Sequence, residues 1–398
     1  MRTVALAATL VMGLADRAAA QAPAATAGAP APGEAGYDKG FYVRSADQRF
    51  SLTIGGRVQP YLTIARTVTP ATNLEDRRID HRGSLELRRA RLVLDGSLHD
   101  QAIRVRMQPD FGGGNVRLRD FFIDVRLADQ VWLRAGQWKR PFSRQQITSF
   151  GRLEISDRSI TDRAFGAGRD LGVALRNDYE KSPALEWTVG VFNGFSDLPR
   201  LTGTTMSDDD GVGTITGGGL TNVPAKLRPA LVGRIGFNRG GLKGYSEADL
   251  EGGGLRWGAA ASVWLEGDFD DDARATQRAQ LDGVVKVARC SFTAGLYVLA
   301  AAPSGGDAFA DTEIALVGGH VQGGVMVAPR WQLAARTAWV GDVRTRTPMA
   351  TDQRELALAV NFYAVGHDAK LGAAIRQIDS NASMNDDTLV EISTVVGF

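Results

Sequence analysis

Hydrophobic and polar positions alternate along most of the chain from Phe50 onward. Between residues 278 and 288, apolar or small side chains occupy every odd position, and polar or charged ones occupy most even positions. The same period of two recurs over 103–108, 120–127 and 355–362. Successive side chains of a β-strand point to opposite faces, so each segment is predicted to be a strand with one apolar and one polar face. No stretch has helical periodicity long enough to predict a major helix.

This pattern predicts about sixteen strands. They lie near residues 49–67, 84–97, 101–110, 116–127, 131–140, 170–176, 185–193, 229–237, 254–265, 277–288, 291–301, 312–327, 331–340, 353–364, 369–379 and 388–398. Short and long connections mostly alternate, with 111–115 and 238–252 as exceptions. An even strand number with such alternation is typical of outer-membrane barrels whose termini lie in the periplasm. We therefore expect an all-β protein: a transmembrane antiparallel β-barrel, residues 49–398, of about sixteen strands.

The N-terminus predicts export. Met1-Arg2 is followed by an apolar run from Val4 to Leu14 and by Ala18-Ala19-Ala20. A positive start, an apolar stretch and a small-residue cleavage site are the three parts of a secretory signal peptide, here residues 1–20. Residues 21–48 begin with an Ala/Pro/Gly-rich stretch that cannot bury a core, and we interpret them as a periplasmic leader. The expected location is the bacterial outer membrane.

The C-terminus supports the membrane interpretation. The last predicted strand is amphipathic and ends at Phe398. It resembles the signal by which the barrel assembly machinery recognises outer-membrane barrels. Charges on the polar faces of many strands also disfavour a packed soluble sandwich, whose core would not tolerate them unpaired. Two alternatives stay open: a non-conducting structural or adhesive barrel, and a secreted soluble β protein.

Charge and residue counts exclude several functions. The 46 basic and 45 acidic residues leave a net charge of +1, which does not favour nucleic-acid binding. Cys290 is the single cysteine, so a disulfide within the chain and a cysteine-based metal cluster are excluded. The four histidines are scattered, and no G-x-S-x-G motif lies near them. We expect neither an enzyme nor a bound cofactor or metal ion.

Several motifs resemble the phosphate-selective porin O/P family. They are G-Q-W-K-R-P-F at 136–142, G-R-D-L-G-V at 168–173, R-R-A-R at 88–91 and V-F-N-G at 191–194. The resemblance implies a sixteen-stranded, usually trimeric porin whose third outer loop folds into the channel. It also implies passive diffusion of small hydrophilic solutes, with a preference for phosphate or other small anions.

The third predicted outer loop, residues 141–169, is rich in charge. A sixteen-stranded barrel is too wide for side chains to fill, so an inserted loop would narrow it and bring charges close to a passing ion. The resemblance places Lys139 beside the constriction. The candidate anion path comprises Lys139, Arg140, Arg144, Arg152, Arg158, Arg163 and Arg169. In the alternative interpretation these charges pair with acidic residues such as Glu154 and Asp157 and only brace the loop.

Strand parity identifies a second set of basic residues, which would face the lumen. They are Arg104, Arg106, Arg134, Arg234, Arg256, Lys286, Arg336, Lys370 and Arg376. Acidic residues share that face: Asp110, Asp120, Asp124, Asp282, Glu355 and Glu391. Any one of the lumen arginines is therefore as well explained by an ion pair across the wall as by transport. Anion preference is expected, while selection of phosphate stays open. The expected surroundings are outer-membrane lipid and lipopolysaccharide.

Overall fold

The sixteen predicted strands are present and form one closed sheet. The computed structural model describes residues 33–69, 78–114, 116–166, 168–194, 200–201, 204–207, 213–216, 220–221, 229–266, 276–301, 314–343, 352–380 and 385–398. The strands are β1 (Ser51–Thr69), β2 (Arg78–Leu98), β3 (Ile103–Asp110), β4 (Arg117–Ala128), β5 (Val131–Lys139), β6 (Arg169–Arg176), β7 (Leu185–Phe192), β8 (Ala230–Arg239), β9 (Arg256–Glu266), β10 (Thr276–Val287), β11 (Cys290–Ala301), β12 (Ile314–Ala328), β13 (Trp331–Asp342), β14 (Gln353–Val365), β15 (Ala369–Ser380) and β16 (Asn385–Gly397). Each pairs antiparallel with the next, and β16 pairs with β1. The predicted sixteen-stranded antiparallel barrel is confirmed.

The two faces of each strand have opposite environments. Along β14, Leu356 and Leu358 are 58% and 52% exposed, whereas Glu355 and Ala357 are 2% and 0% exposed. The same alternation runs through β7, β8 and β9. The apolar side chains therefore form the outside of the barrel, and the polar ones point inward. An apolar outer surface is suited to contact with lipid. A closed sheet also satisfies its own backbone hydrogen bonds, as a membrane-spanning structure must.

The connections differ between the two ends of the barrel. The end that carries the termini has two-residue turns at 129–130, 288–289 and 329–330. Ala288 and Arg289 both have left-handed backbone conformations, with φ of 50° and 70°, as a tight hairpin turn requires. The predicted outer loops at 194–228, 266–276, 302–311 and 341–352 fall wholly or largely outside the described residues.

Helical structure is confined to short segments between strands. Two α-helices, α1 (Arg144–Ile147) and α2 (Ile160–Phe165), lie between β5 and β6. Single 3₁₀ turns are formed by Gly112–Gly114, Phe150–Arg152 and Tyr179–Lys181. Among the described residues no helix is both long enough and apolar enough to cross a membrane. Between β7 and β8, Arg200–Leu201 pairs with Leu220–Thr221, and Thr204–Ser207 pairs with Gly213–Thr216.

A small hairpin precedes the barrel. Its strands, Glu34–Tyr37 and Phe41–Arg44, lie within the range 21–48 that we interpreted as a leader. The second strand pairs with residues 51–54 of β1, on the N-terminal side of residue 57, where the pairing of β1 with β16 ends. The N-terminal hairpin therefore extends the sheet next to the pair of strands, β1 and β16, that closes the barrel. The predicted signal peptide lies outside the described residues.

Replacing Phe398 by aspartate is expected to reduce membrane-inserted protein strongly. The Phe398 amide donates to Gly56 O at 3.1 Å, and the Gly56 amide donates to Phe398 O at 2.9 Å. Both bonds use the backbone, so the substitution leaves them intact. A charge near the membrane interface costs only about 0–1 kcal/mol directly. The measurement is the amount of heat-modifiable barrel in outer-membrane fractions. A large loss would therefore show that the assembly machinery fails to recognise the variant, whereas normal insertion would exclude an assembly role for Phe398.

Candidate channel constriction

The segment between β5 and β6 is called loop L3, and its described residues, 140–166 and 168, lie inside the barrel. Serine hydroxyls cap its two short helices: Ser143 accepts from the Gln146 amide, and Ser159 accepts from the Asp162 amide. These caps satisfy amides that a helix leaves unpaired at its N-terminus. The loop is largely buried, although it joins two strands at the rim of the barrel.

Loop L3 binds to the inner face of one half of the wall. The Ile160 amide donates to Glu355 Oε2 of β14 at 2.8 Å. Lys370 Nζ of β15 donates to Leu153 O at 2.6 Å, and Arg144 N donates to Asp282 Oδ2 of β10 at 2.9 Å. Because the partners lie on strands from β10 to β15, the loop covers that half of the lumen.

Apolar packing reinforces these polar contacts. The side chains of Phe142 and Phe165 are fully buried. They pack against Tyr297 of β11, with ring centroids 6.5 Å and 5.5 Å away, and Phe142 also meets Trp264 of β9. Burial of a large aromatic side chain contributes about 1.5–3 kcal/mol. Loop L3 is thus held by a small hydrophobic core inside the barrel.

A cavity of about 1210 Å³ remains between L3 and the opposite wall, which is formed mainly by β1–β5. Among the described residues, basic side chains dominate its lining. The basic ones are Lys39, Arg57, Arg89, Arg91, Arg106, Arg134, Lys139, Arg152, Arg169, Lys243, Arg256 and Lys286. The acidic ones are Asp95, Asp120, Glu180, Asp249, Glu251 and Asp368.

Half of the lining cations are neutralised by ion pairs. The pairs are Arg91 with Asp110, Arg106 with Asp95, Arg134 with Asp124, Arg169 with Asp120, Lys243 with Glu251 and Arg256 with Asp249. Five of the six nitrogen–oxygen distances lie between 2.6 and 2.8 Å, and the distance in the Lys243 pair is 3.4 Å. These residues add little net charge to the cavity, and they hold the strands and turns in position.

The other lining cations form no ion pair with any carboxylate of the described residues. They are Lys39, Arg57, Arg89, Lys139, Arg152 and Lys286. Arg57 Nη1 donates to Ser149 Oγ at 2.7 Å, and Arg89 Nη1 donates to Gln59 Oε1 at 2.6 Å. Lys139 Nζ donates to two carbonyl oxygens of L3, at 3.0 and 3.1 Å. These three groups therefore bond to neutral partners, and no carboxylate of the described residues pairs with them.

The R-R-A-R segment of β2 contacts L3 from across the lumen. A bulge opposite Gln59 and Pro60 interrupts the strand alternation, and Pro60 has no amide to donate to the ladder. Arg88 Nη2 consequently reaches Asp157 Oδ2 at 3.0 Å, and the Arg89 guanidinium lies 3.5 Å from the centre of the Phe150 ring.

The carboxylate of Asp157 on L3 is held in its charged form. Burial alone would raise its pKa, but the nearby charges of Arg88 and Arg376 outweigh that effect and lower the pKa to about 2. Asp157 is therefore ionised at neutral pH and connects the loop electrostatically to both halves of the wall.

The seven predicted residues of the anion path occupy three environments. Lys139, Arg152 and Arg169 line the cavity. Arg163 is exposed on α2, away from this cavity. Three others are buried within or behind L3, where they hold the loop in place. Arg140 stacks 4.0 Å from the Trp264 ring, Arg144 lies 3.4 Å from Asp282, and Arg158 donates to Gln145 O, Gln146 O and Thr148 O.

The nine predicted lumen-facing residues also divide by position. Four line the cavity: Arg106, Arg134, Arg256 and Lys286. Four are buried beside L3 or among wall carboxylates: Arg234, Arg336, Lys370 and Arg376. Arg104 pairs with Asp178 at 3.1 Å and stacks 3.8 Å from the Trp132 ring. The lumen wall thus contains both path-lining and wall-bracing cations.

Two parts of the site were not predicted from the sequence. Arg57 and Arg89 were not selected, although parity in β1 and the R-R-A-R motif could have indicated them. The second part is the segment at 240–255, which we call turn T4; the sequence pattern marks this region, as 238–252, only as an exception to the alternation of short and long connections. In the structure, several of its residues line the cavity, including Lys243, Ser246 and Asp249.

A lipid-facing sixteen-stranded barrel, narrowed by an inner loop and leaving a charged aqueous cavity, defines the class of outer-membrane porins, which are passive channels. The sequence comparison supports this class. The chain belongs to the phosphate-selective porin O and P family, whose model matches residues 69–280. The protein is therefore a channel of the bacterial outer membrane. A search of curated protein sequences found no match.

Solved structures with the same fold are outer-membrane proteins. The channel DcaP of Acinetobacter baumannii superposes with a TM-score of 0.58 at 13% identity, covering 89% of this chain and 99% of that one. The trimer form of OmpT from Vibrio cholerae gives 0.54 at 12% identity, covering 88% and 99%. An anion-selective porin from Comamonas acidovorans gives 0.53 at 12% identity, covering 88% and 100%. At such low identity these similarities show the fold alone.

Proposed function

We propose that this porin prefers small anions, and that they pass through the cavity between L3 and the β1–β5 wall. The observation that carries this proposal is the imbalance of unpaired charge. Six lining cations lack a carboxylate partner among the described residues, whereas Asp368 is the one lining Asp or Glu side chain there without an ion pair. A surplus of fixed positive charge raises the local anion concentration and opposes cation entry.

The surroundings of His367 combine burial with neighbouring positive charges. This residue belongs to the connection between β14 and β15 and lines the cavity. Burial and the charges of Lys370, Arg152, Lys286 and Arg57 lower its pKa to about 3. Histidine normally titrates near pH 6.5, so the imidazole is neutral across the physiological range. Burial is the largest cause of this shift and the four neighbouring cations add to it; only their charge favours anions over cations.

The arginines favour oxyanions as permeant species. A guanidinium offers paired donors that match carboxylate or phosphate, whereas an ammonium acts as a point charge. Three of the six unpaired lining cations are arginines: Arg57, Arg89 and Arg152. We propose that inorganic phosphate and small carboxylates pass along with chloride, and that the protein takes no catalytic part in their passage.

The reversal potential of the reconstituted protein tests this proposal. In a potassium chloride gradient across a planar bilayer, we expect the sign that reports anion preference, and phosphate should carry current when it replaces chloride. Because exposed charges are screened within about 10 Å at 0.1 M salt and about 3 Å at 1 M, the preference should weaken at high salt. A potential near zero or of cationic sign contradicts the proposal, and absence of current favours a closed structural barrel.

We further propose that the mature chain is a homotrimer that starts after residue 20 and lies among outer-membrane lipid and lipopolysaccharide. The trimeric neighbour and the signal-like N-terminus support these two points. Chemical cross-linking of unheated protein in detergent should give a trimer band, and N-terminal sequencing of outer-membrane material should begin at Gln21. A monomer or an uncut Met1 would contradict the respective proposal.

A further inference from the structure

We infer that turn T4, residues 240–255, is the second half of the constriction, and that Glu247 is the positioning residue that holds it against L3. The inference requires an ion-conducting porin, but it does not depend on the anion preference proposed above. It rests on how the turn is buried, what Glu247 contacts, and which groups surround that contact.

Turn T4 lies inside the barrel, although it belongs to the end where most connections are short. Its residues Leu242, Tyr245, Glu247 and Asp249 are each at most 6% exposed. The Tyr245 hydroxyl donates to Glu186 Oε1 of β7 at 2.7 Å. A loop that ran over the surface would expose these groups. The turn therefore enters the lumen from the periplasmic side.

The strands on either side fix the base of the turn. Lys286 Nζ of β10 donates to Ser246 Oγ at 2.8 Å and to Ala248 O at 2.7 Å. Asp249 accepts from Arg256 Nη2 at 2.6 Å and from the Arg289 amide at 3.1 Å. These bonds join T4 to the wall, and none of them reaches L3.

Glu247 makes the hydrogen-bonded contact between the turn and L3, next to a stacking contact in which the Arg144 guanidinium of L3 lies 4.3 Å from the centre of the Tyr245 ring. Its amide donates to Arg152 O at 3.1 Å, and its Oε2 accepts from the Glu154 amide at 2.7 Å. Gln322 Nε2 of β12 bridges the two glutamates, at 2.7 Å from Glu247 Oε2 and 2.9 Å from Glu154 Oε2. Gln145 Nε2 adds a longer bond of 3.4 Å to Glu247 Oε1. One side chain thus joins the turn, the loop and the wall.

The contact brings two buried carboxyl groups together. Burial and the charge of Glu247 raise the pKa of Glu154 to about 7. Glu154 also accepts hydrogen bonds from Ser291 of β11, Gln322 and Gln332 of β13, which favour its charged form. The remaining titratable groups that face the pair are Lys286 of β10, Tyr363 of β14 and Lys370 of β15.

The protonation state of Glu154 therefore affects the contact. A carboxyl whose pKa is raised on folding contributes most stability when it is protonated, and that contribution is lost as pH rises through its folded pKa. Below about pH 7 a proton on Glu154 removes the repulsion from Glu247. Above that pH the ionised Glu154 is repelled by the charge of Glu247, and the contact between T4 and L3 weakens.

The position of T4 determines the width of the path. Lys243, Ser246, Asp249 and Glu251 of the turn line the same cavity as Arg152 of L3. If the contact between turn and loop is lost, these side chains can move away from the path. Glu247 itself does not line the cavity. Its effect on ions is consequently exerted through the turn and not through direct contact.

Single-channel recording of three variants tests the inference. Glu247→Ala removes the acceptor and leaves two buried donors unpaired. It should increase open-channel conductance by about twofold and add current noise, because conduction depends on the narrowest part of the pore. Glu247→Gln keeps an acceptor oxygen and should resemble the unmodified channel. Asp129→Ala is the control, since Asp129 is an exposed carboxylate in the turn at 129–130, at the same end of the barrel, and does not line the cavity.

The pH profile separates positioning from general damage. Current noise of the unmodified channel should rise between about pH 6 and about pH 8 as Glu154 ionises. In Glu247→Gln the repulsion is absent, so the rise should be much smaller. Equal conductance and noise in Glu247→Ala and the unmodified protein overturn the inference, as does an equal effect of Asp129→Ala.

A further variant keeps the inference testable if Glu247→Ala does not assemble. Gln322→Met replaces the bridging amide by an apolar side chain of similar size, while Glu247 stays in place. It should raise noise more modestly and in the same direction. Unchanged noise in a folded Gln322→Met channel would overturn the role of the contact. Loss of anion preference alone, with normal conductance and noise in all variants, would instead contradict the function proposed above.

Discussion

Replacing Arg57 and Arg152 together by glutamate is expected to convert the anion preference of the channel into a cation preference. Both side chains line the cavity, and neither forms an ion pair with a carboxylate of the described residues. Each substitution exchanges a positive for a negative charge. Two unit charges 4 Å apart interact by about 1 kcal/mol even in water, and more strongly near protein. We therefore expect the chloride-to-potassium permeability ratio to fall by roughly tenfold or more, which corresponds to ~1.4 kcal/mol.

Reversal potentials in potassium chloride gradients measure this change. Arg152→Glu alone should give an intermediate shift without altering a wall contact, whereas Arg57 also donates to Ser149 of L3. Arg78→Glu is a matched control, because Arg78 is exposed at the start of β2 and does not line the cavity. If the double variant keeps its reversal potential at low salt, the path of the ions does not pass these residues.

Removing the carboxylate of Glu355 is expected to release L3 and to destabilise the barrel. This side chain accepts from Arg336 at 2.5 and 2.8 Å, from Arg376 at 3.3 Å and from the Ile160 amide at 2.8 Å. Glu355→Ala leaves two buried guanidinium groups short of a partner. Breaking a buried ion pair in this way costs about 3–5 kcal/mol. The temperature at which the band of folded protein disappears on gels should be clearly lower for Glu355→Ala than for the unmodified protein.

Limited proteolysis gives a second measure of the same variant. Freed from the Ile160 contact, L3 should become cleavable near α2 in the detergent-solubilised protein. Glu86→Ala is the control, because Glu86 is half-exposed and, within the part of the chain that the structure describes, its carboxylate pairs with Arg88 alone, at 3.9 Å. A Glu355→Ala protein with unchanged heat stability and an uncut loop would show that the packing of Phe142 and Phe165 is sufficient to hold L3.

The fold was predictable because a single physical rule governs every strand. A barrel strand must place apolar side chains toward lipid and polar ones toward water, so the period of two survives even in irregular sequences such as β12. The strand bounds differ from the prediction mainly at outer rims. β2, for example, begins at Arg78, whereas the pattern predicts 84. At such positions the sheet extends beyond the membrane, where the alternation of side chains no longer has to follow lipid and water.

The site was predictable only in part, since parity determines which face a side chain occupies but not what covers it. Arg234 and Arg134 have the same inward parity. In the structure Arg234 is buried between Glu186 and Asp282, while Arg134 lines the cavity. The difference depends on where L3 and T4 lie, which is set by contacts between residues more than 90 positions apart, such as Glu154 with Glu247. Local sequence carries no signal for such contacts.

The N-terminal hairpin has a consequence for the register of barrel closure. Its second strand occupies the edge of β1 at residues 51–54, and β16 pairs with the same edge from residue 57 upward. A shift of β16 by two residues toward the periplasm would preserve which side chains face lipid, so alternation alone does not forbid it. Such a shift would collide with the hairpin. The hairpin therefore blocks this shifted register sterically and fixes the position at which β16 ends.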